Sequence, residues 1–257
     1  MVADTKNFKN SGSGALTHLC LDIETCHLSE EEQQRELELG KPPGSYKSAE
    51  AIARWKAEYA LKVKEKSALL DPAPIGCIAV GDESGDVAVF HWLKVDSGQH
   101  EHFFSIKTAT EREMLMELRK FLNDCSSTDP GTAIVGFNLN FDLPHLRIAY
   151  VRHGLKLPNI LLPKSGNPIA DVMQLYTRYF TSKDAPFIGL AEVVRRLGID
   201  GDGKGEMNGA MAPDYIARGF GESEPVSQFH QDVVSYCALD VLMTMRAYLI
   251  MTGQAGD

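Results

Sequence analysis

Apolar and polar positions alternate or cluster along the chain in a way that divides it into elements. Ala15 to Ile23 carries Leu16, Leu19, Leu21 and Ile23 and predicts a buried strand. Ile52, Trp55, Tyr59 and Val63 follow helical spacing, so 46–68 reads as a helix, broken at Asp71 to Pro74. Ile75 to Gly81, Val87 to Leu93 and His102 to Ile106 read as strands, the first two joined by the turn Gly81-Asp82-Glu83-Ser84-Gly85. Glu111 to Leu122 reads as a helix, Thr132 to Phe137 as a short strand, and Phe141 to Val151 as the body of a helix opened by Asn138-Leu139-Asn140. Asp171 to Phe180, Ile188 to Leu197 and Gln231 to Met251 complete the helices. Residues 28–45 are acidic and then loop-like, and 198–228 read as a long surface loop.

A hairpin-joined group of strands followed by alternating helices and strands predicts an α/β fold, a mixed sheet with flanking helices. The length of 257 residues suits one domain over 15–252, with a helical insertion at about 27–74 after the first strand and a polar, disordered tail over 1–14. That tail lacks the apolar core of a secretory signal. No apolar run approaches the roughly 18 residues of a membrane span, so no membrane partner is expected. The five cysteines, Cys20, Cys26, Cys77, Cys125 and Cys237, form no Cys-x-x-Cys pair, which argues for a reducing, cytoplasmic setting and against a thiolate zinc site. The net charge of -9 excludes a protein that coats nucleic acid by bulk charge. It leaves room for an enzyme that engages one strand end.

Three acidic motifs carry the chemistry. Asp22 and Glu24 lie two apart at the end of the first strand and share a face. Alone, such a pair is more often a solvated strand end. Asn138-Leu139-Asn140-Phe141-Asp142 opens a helix, where, taken alone, Asn140 reads more simply as an N-cap. Tyr236 and Asp240 are one turn apart on the last helix, among Val233, Val234, Val241 and Leu242, where an Asp is costly unless paired, metal-bound or at the helix rim. Four carboxylates with oxygen ligands suit two hard divalent ions, Mg²⁺ or Mn²⁺.

These motifs, in this order, resemble those of the DEDD exonuclease superfamily. Asp22-x-Glu24 matches its first motif, Asn138-x-x-Phe141-Asp142 its second, and Tyr236-x-x-x-Asp240 its third in the tyrosine (DEDDy) subclass. The histidine subclass would place a His where Ser235 stands. The detail is similar to the 3′–5′ exonuclease domain of family B DNA polymerases and its stand-alone prokaryotic and phage relatives, although one residue is missing between Asn138 and Asn140. Leu197-Gly198-Ile199, Lys204, Met207-Asn208-Gly209, Lys41-Pro42-Pro43-Gly44 and Trp55 extend the likeness over most of 16–250.

The resemblance implies a ribonuclease H-like fold. It implies metal-dependent 3′–5′ hydrolysis of single-stranded or frayed DNA ends to nucleoside 5′-monophosphates, with RNA ends as the alternative substrate. A non-catalytic accessory protein would keep the fold without the chemistry. Asp22, Glu24, Asp142 and Asp240 would be the metal ligands, and Tyr236 would orient the attacking water. Asn138, Phe141, Thr25 and Lys204 would meet the substrate. Proofreading for a replicative polymerase would be in trans, and DNA repair is the other setting.

Secondary features stay two-sided. Between 41 and 66, seven basic residues stand against three acidic ones, either a phosphate-contacting face or the wet side of a helix. Trp55 stacks on a base or, more in keeping with its spacing, packs in the core. Phe137 and Phe141 contact a terminal base or pack inside. Lys204 reaches a phosphate or lies on the surface. Asp200 to Lys204 lacks the later ligands of a calcium loop and reads as a turn.

Overall fold

The computed structural model describes residues 18–70, 72–128, 131–162, 168–181, 188–199 and 207–255. Lys204, the segment Asp200 to Lys204 and the N-terminal tail lie outside them. The described chain is α/β. Seven strands form one mixed sheet in the order β4-β5-β3-β2-β1-β6-β7. In chain order these are β1 (His18–Thr25), β2 (Ile75–Asp82), β3 (Val87–His91), β4 (Gly98–Gln99), β5 (Phe104–Lys107), β6 (Ala133–Gly136) and β7 (Ile169–Asp171). β1, β2 and β3 pair antiparallel, while β6 and β7 continue from β1 in parallel.

Eight α-helices accompany the sheet among the described residues: α1 (Glu30–Leu39), α2 (Ala49–Glu65), α3 (Glu111–Thr128), α4 (Leu139–Arg152), α5 (Val172–Phe180), α6 (Leu190–Arg196), α7 (Ala212–Gly221) and α8 (Gln228–Thr252). The pleat of β1 sorts its residues between two cores. Leu19, Leu21 and Ile23 pack with Leu115 and Leu118 of α3 and Leu143 and Leu146 of α4. Cys20 packs on the other face with Val233, Val234, Cys237 and Val241 of α8. α8 is long and apolar enough by composition to cross a bilayer, contrary to the expectation that no segment is, but it is largely buried against the sheet. Its apolar positions run round the helix because it is covered on several sides.

Four further expectations change. Residues 30–39 are helical, although α1 buries no side chain. It forms through a local device: the Ser29 hydroxyl accepts from the Glu32 N–H while the Glu32 carboxylate accepts from the Ser29 N–H, and three glutamates occupy the first turn. The loop 198–228 contains α7. Its Pro213 sits in the first turn, where a proline costs nothing, and Gly219 is where the ring of His230 packs. An added Cβ at Gly219 would lie 2.4 Å from that ring.

Trp55 belongs to neither core. It is half-buried and stacks on Tyr59 with ring centroids 4.9 Å apart, in the α1–α2 pair where Tyr59 also closes over Gly40. Two short strands, β4 and β7, extend the sheet beyond the expected runs. The basic residues of α2 stand beside acidic α1, so 28–66 carries eight acids and eight bases. The α1–α2 excursion is pinned at its base, where the Cys26 N–H donates to the Pro74 carbonyl at 2.7 Å.

Candidate metal and catalytic centre

β1 brings Asp22 and Glu24 to the face that α8 covers, opposite Ala79 and Cys77 of β2. The register shifts between Glu24 and Thr25, so the ladder is irregular right after the acids before Thr25 pairs with Ile75. From α8, Asp240 reaches the same place: one carboxylate oxygen each from Asp22, Glu24 and Asp240 lies within 4.8 Å of the others. Glu24 and Asp240 are 7% and 8% exposed, and Asp22 is half-buried. Tyr236, one turn before Asp240, hydrogen-bonds the Asp240 side chain. A Cβ added at Gly209 would lie 3.7 Å from the Tyr236 hydroxyl, so the backbone before α7 runs beside it.

Asp142 arrives from the other side of the sheet. β6 pairs with β1 only as far as Cys20, and the chain then turns at Asn138 into α4. Ile23 lies past that pairing, and its N–H is taken by Asp142 Oδ1 at 3.3 Å. Asp142 is 3% exposed. It is not one of the three carboxylates that converge within 4.8 Å, yet among charges it acts most strongly on Asp22.

Charge accumulates here. Burial, then the Asp142 and Asp240 charges, hold the Asp22 carboxyl well above the usual carboxylate range. Burial, then Asp22, does the same to Glu24. Burial pushes Asp142 up to about 8, against the pull of its backbone N–H donors. Among the described residues, the groups acting most strongly on these three carboxyls are other acids, thiols and backbone amides, and not Lys or Arg. Burial, then Asp240 and Glu24, push the Tyr236 phenol upward, so it keeps its proton at neutral pH. Cys237 lies beneath, its Sγ 3.4 Å from Asp22 Oδ2. Buried like charges fit a bound divalent cation, and the all-oxygen donor set fits a hard one such as Mg²⁺ or Mn²⁺.

The other expected residues have different surroundings. The Thr25 hydroxyl is buried and donates to the Ala68 carbonyl at 2.8 Å, tying the strand end to the turn after α2. Phe141 is half-buried against His145, ring centroids 4.2 Å apart. Phe137 is half-buried against the α8-side core. Asn138, and not the exposed Asn140, precedes α4. It holds φ 60°, ψ 47° and makes no side-chain cap.

The sequence reading missed Asp171, the last residue of β7. Its Oδ1 accepts from the Asn138 N–H at 3.2 Å and its Oδ2 from the Leu139 N–H at 3.0 Å. The available signal was an Asp at a strand-to-helix junction, which marks a cap but not a partner 32 residues away. Gly136 is the other unmarked position. A Cβ there would lie 2.3 Å from Leu139 Cδ2 and 3.0 Å from the Leu21 carbonyl oxygen, so only glycine allows β6 to turn this close to β1.

A cavity of about 930 Å³ opens elsewhere, at the β2–β3 turn, lined by Asp82, Glu83, Phe103 and Leu242 among others and by none of the expected site residues. No protein-family model matches the chain, and no curated protein matches it.

Proposed function

We propose that this chain is a ribonuclease H-like, metal-dependent 3′–5′ exonuclease acting on single-stranded or frayed DNA ends. The observation that carries the reading is the convergence of Asp22, Glu24 and Asp240 within 4.8 Å, from a strand end and a helix, with Tyr236 beside them. The mixed sheet with helices on both faces supports the fold, and the order of the three motifs supports the polarity of attack. Asp22, Glu24, Asp142 and Asp240 would hold two divalent ions. When bound, these would lower the pKa of water and stabilise the leaving oxygen of a phosphodiester.

The remaining roles belong to the chain. Tyr236 stays protonated, so its hydroxyl orients the attacking water and does not serve as the base. Burial of Glu24, Asp142 and Asp240 excludes bulk water from the carboxylates and strengthens their hold on a cation. The Ile23 N–H, donating to Asp142, keeps one carboxylate from swinging into solvent.

The test is a time course on matched DNA and RNA oligomers, labelled at the 3′ or the 5′ end, with Mn²⁺ or Mg²⁺. Stepwise shortening from the 3′ end is expected, and DNA consumed faster than RNA. Faster loss of RNA would reassign the substrate. Asp22→Ala, Asp142→Ala and Asp240→Ala should each reduce digestion to background, and undiminished digestion overturns the proposal. Tyr236→Phe should slow turnover and leave Mn²⁺ binding intact.

A further inference from the structure

We propose that Asp171 is a positioning residue of this centre, acting through the start of α4 on Asp142; the assignment rests on the metal-ion reading above. Asp171 lies beside Gly136 in the parallel β6–β7 ladder, where β6 hands over to α4. Its carboxylate caps two helices at once. Oδ1 accepts from the Asn138 N–H and from the Gln174 N–H of α5, both at 3.2 Å. Oδ2 accepts from the Leu139 N–H at 3.0 Å and from the Gln174 side-chain amide at 3.1 Å. With both oxygens engaged by four donors and the side chain 8% exposed, Asp171 is scaffold and not a fifth ligand.

The backbone shows what this carboxylate holds. Asn138 is the one non-glycine residue with positive φ among the described residues. Asn tolerates that conformation better than most residues, but it still needs support. A left-handed residue followed by a helical one turns successive N–H groups toward a common point, a concavity that binds anions. In this protein the anion is Asp171. The two N–H groups are also orphan donors of the α4 N-terminus, so the negative charge suits the helix end.

Asp142 lies three residues after Leu139, in the same first turn. The Asp171 bridge therefore sets the direction in which that turn presents Asp142, and Asp142 registers it against β1 through the Ile23 N–H. Two carboxylates thus divide the labour: Asp171 aims the turn, and Asp142 faces Asp22. Supporting groups of this kind orient ligands and commonly change metal affinity by about 10–100-fold when lost.

Amide exchange on the metal-free full chain, followed residue by residue, tests the link without any activity. Asp171→Asn puts an amide donor against one N–H. It should speed exchange at Asn138 and Leu139 about tenfold, the effect of one lost hydrogen bond, and speed Ile23 as well. Asp171→Ser is the second variant. It keeps an N-cap for α5 while a single short oxygen cannot bridge Asn138 and Leu139, so folding is retained and the same amides should loosen. Gln174→Ala removes only the far-side amide and should leave Ile23 unchanged.

Mn²⁺ binding read by paramagnetic resonance supplies the second arm. Both Asp171 variants should raise the half-saturating Mn²⁺ concentration about tenfold or more. Unchanged Ile23 exchange overturns the assignment. So does faster exchange with unchanged half-saturation, because the role would then be structural only. A wild-type protein that binds no Mn²⁺ overturns the proposed function itself and, with it, the metal part of this assignment. A wild-type protein that binds Mn²⁺ beside indifferent Asp171 variants overturns this inference alone.

Discussion

β1 meets α8 at both of its ends, and acids gather near both. At the first end, His18 Nδ1 contacts Glu83, and His18 Nε2 meets the Tyr248 hydroxyl at 2.9 Å. Next to it, Asp82 Oδ1 accepts from the Ser84 N–H at 2.9 Å, from the Ser84 hydroxyl at 2.5 Å and from the Asp86 N–H at 3.3 Å. Three positions along, opposite Ala79, the acids face one another. Asp22, Glu24 and Asp240 converge, Asp142 joins from the far side, and acids and thiols surround them. Burial raises the carboxyl pKa at both ends, and hydrogen bonds oppose it at both, from Ser84 and Asp86 at Asp82 and from backbone N–H groups at Asp142. One end satisfies its charges within the chain. At the other, the strongest influences on Asp22 and Glu24 are burial and neighbouring acids and thiols.

The widest separation between the ends should come from pH. In chelator, the Asp142 carboxyl titrates at 3.8 in the unfolded chain and about 8 in the folded one. Between those values the native state binds more protons than the unfolded state. Stability is therefore fully present below the unfolded pKa and is lost as pH rises through the folded pKa. Asp22 and Glu24 are shifted the same way. Urea melts of the metal-free protein should show a steady loss between pH 4 and pH 8, and Asp22→Asn should flatten that slope. A flat profile in the unsubstituted protein would mean that the carboxylates are relieved by something other than protons.

Divalent ions should reverse the loss, with the next largest effect. On the proposed function they would bind the ionised carboxylates of the native state and not the unfolded chain. At pH 8 a concentration one hundred times Kd should add about 2.7 kcal/mol. Mn²⁺ titrations followed by thermal melts measure this. Asp22→Asn should abolish the gain, whereas substitution of Asp82 should leave it whole. An equal gain in both variants would place the ion elsewhere.

The contrast between the ends was only partly legible in the sequence. Strand alternation places Asp22 and Glu24 together, and helical spacing places Tyr236 and Asp240 together, because both rules act over two to four residues. Asp171 escaped because its partners, Asn138 and Leu139, are 33 and 32 residues away. Thr25 looked available for substrate because nothing local shows that Ala68 will take its hydroxyl. α1 was hidden by its lack of an apolar stripe, being held by a cap and by α2. α7 was hidden by Pro213, Gly219 and Gly221, which read as breakers until Pro213 proves to be in the first turn and Gly219 against His230.

The smallest effect tests the satisfied end. Asp82→Ala removes the acceptor shared by two Ser84 donors and the Asp86 N–H, in a turn whose Gly85 holds φ 89°. The donors are part-buried, so water recovers some of the loss, and a cost of about 1 kcal/mol in a urea melt is expected. The main-chain pairing of Asp82 with Asp86, at 3.1 Å, remains to hold the hairpin. Because the turn lies three residues from Asp22 along the β1–β2 ladder, Mn²⁺ half-saturation should not move. A loss of Mn²⁺ binding in Asp82→Ala would show that the two ends are coupled through β2. The division between the two ends would then give way to a single charge network along the β1–β2 ladder.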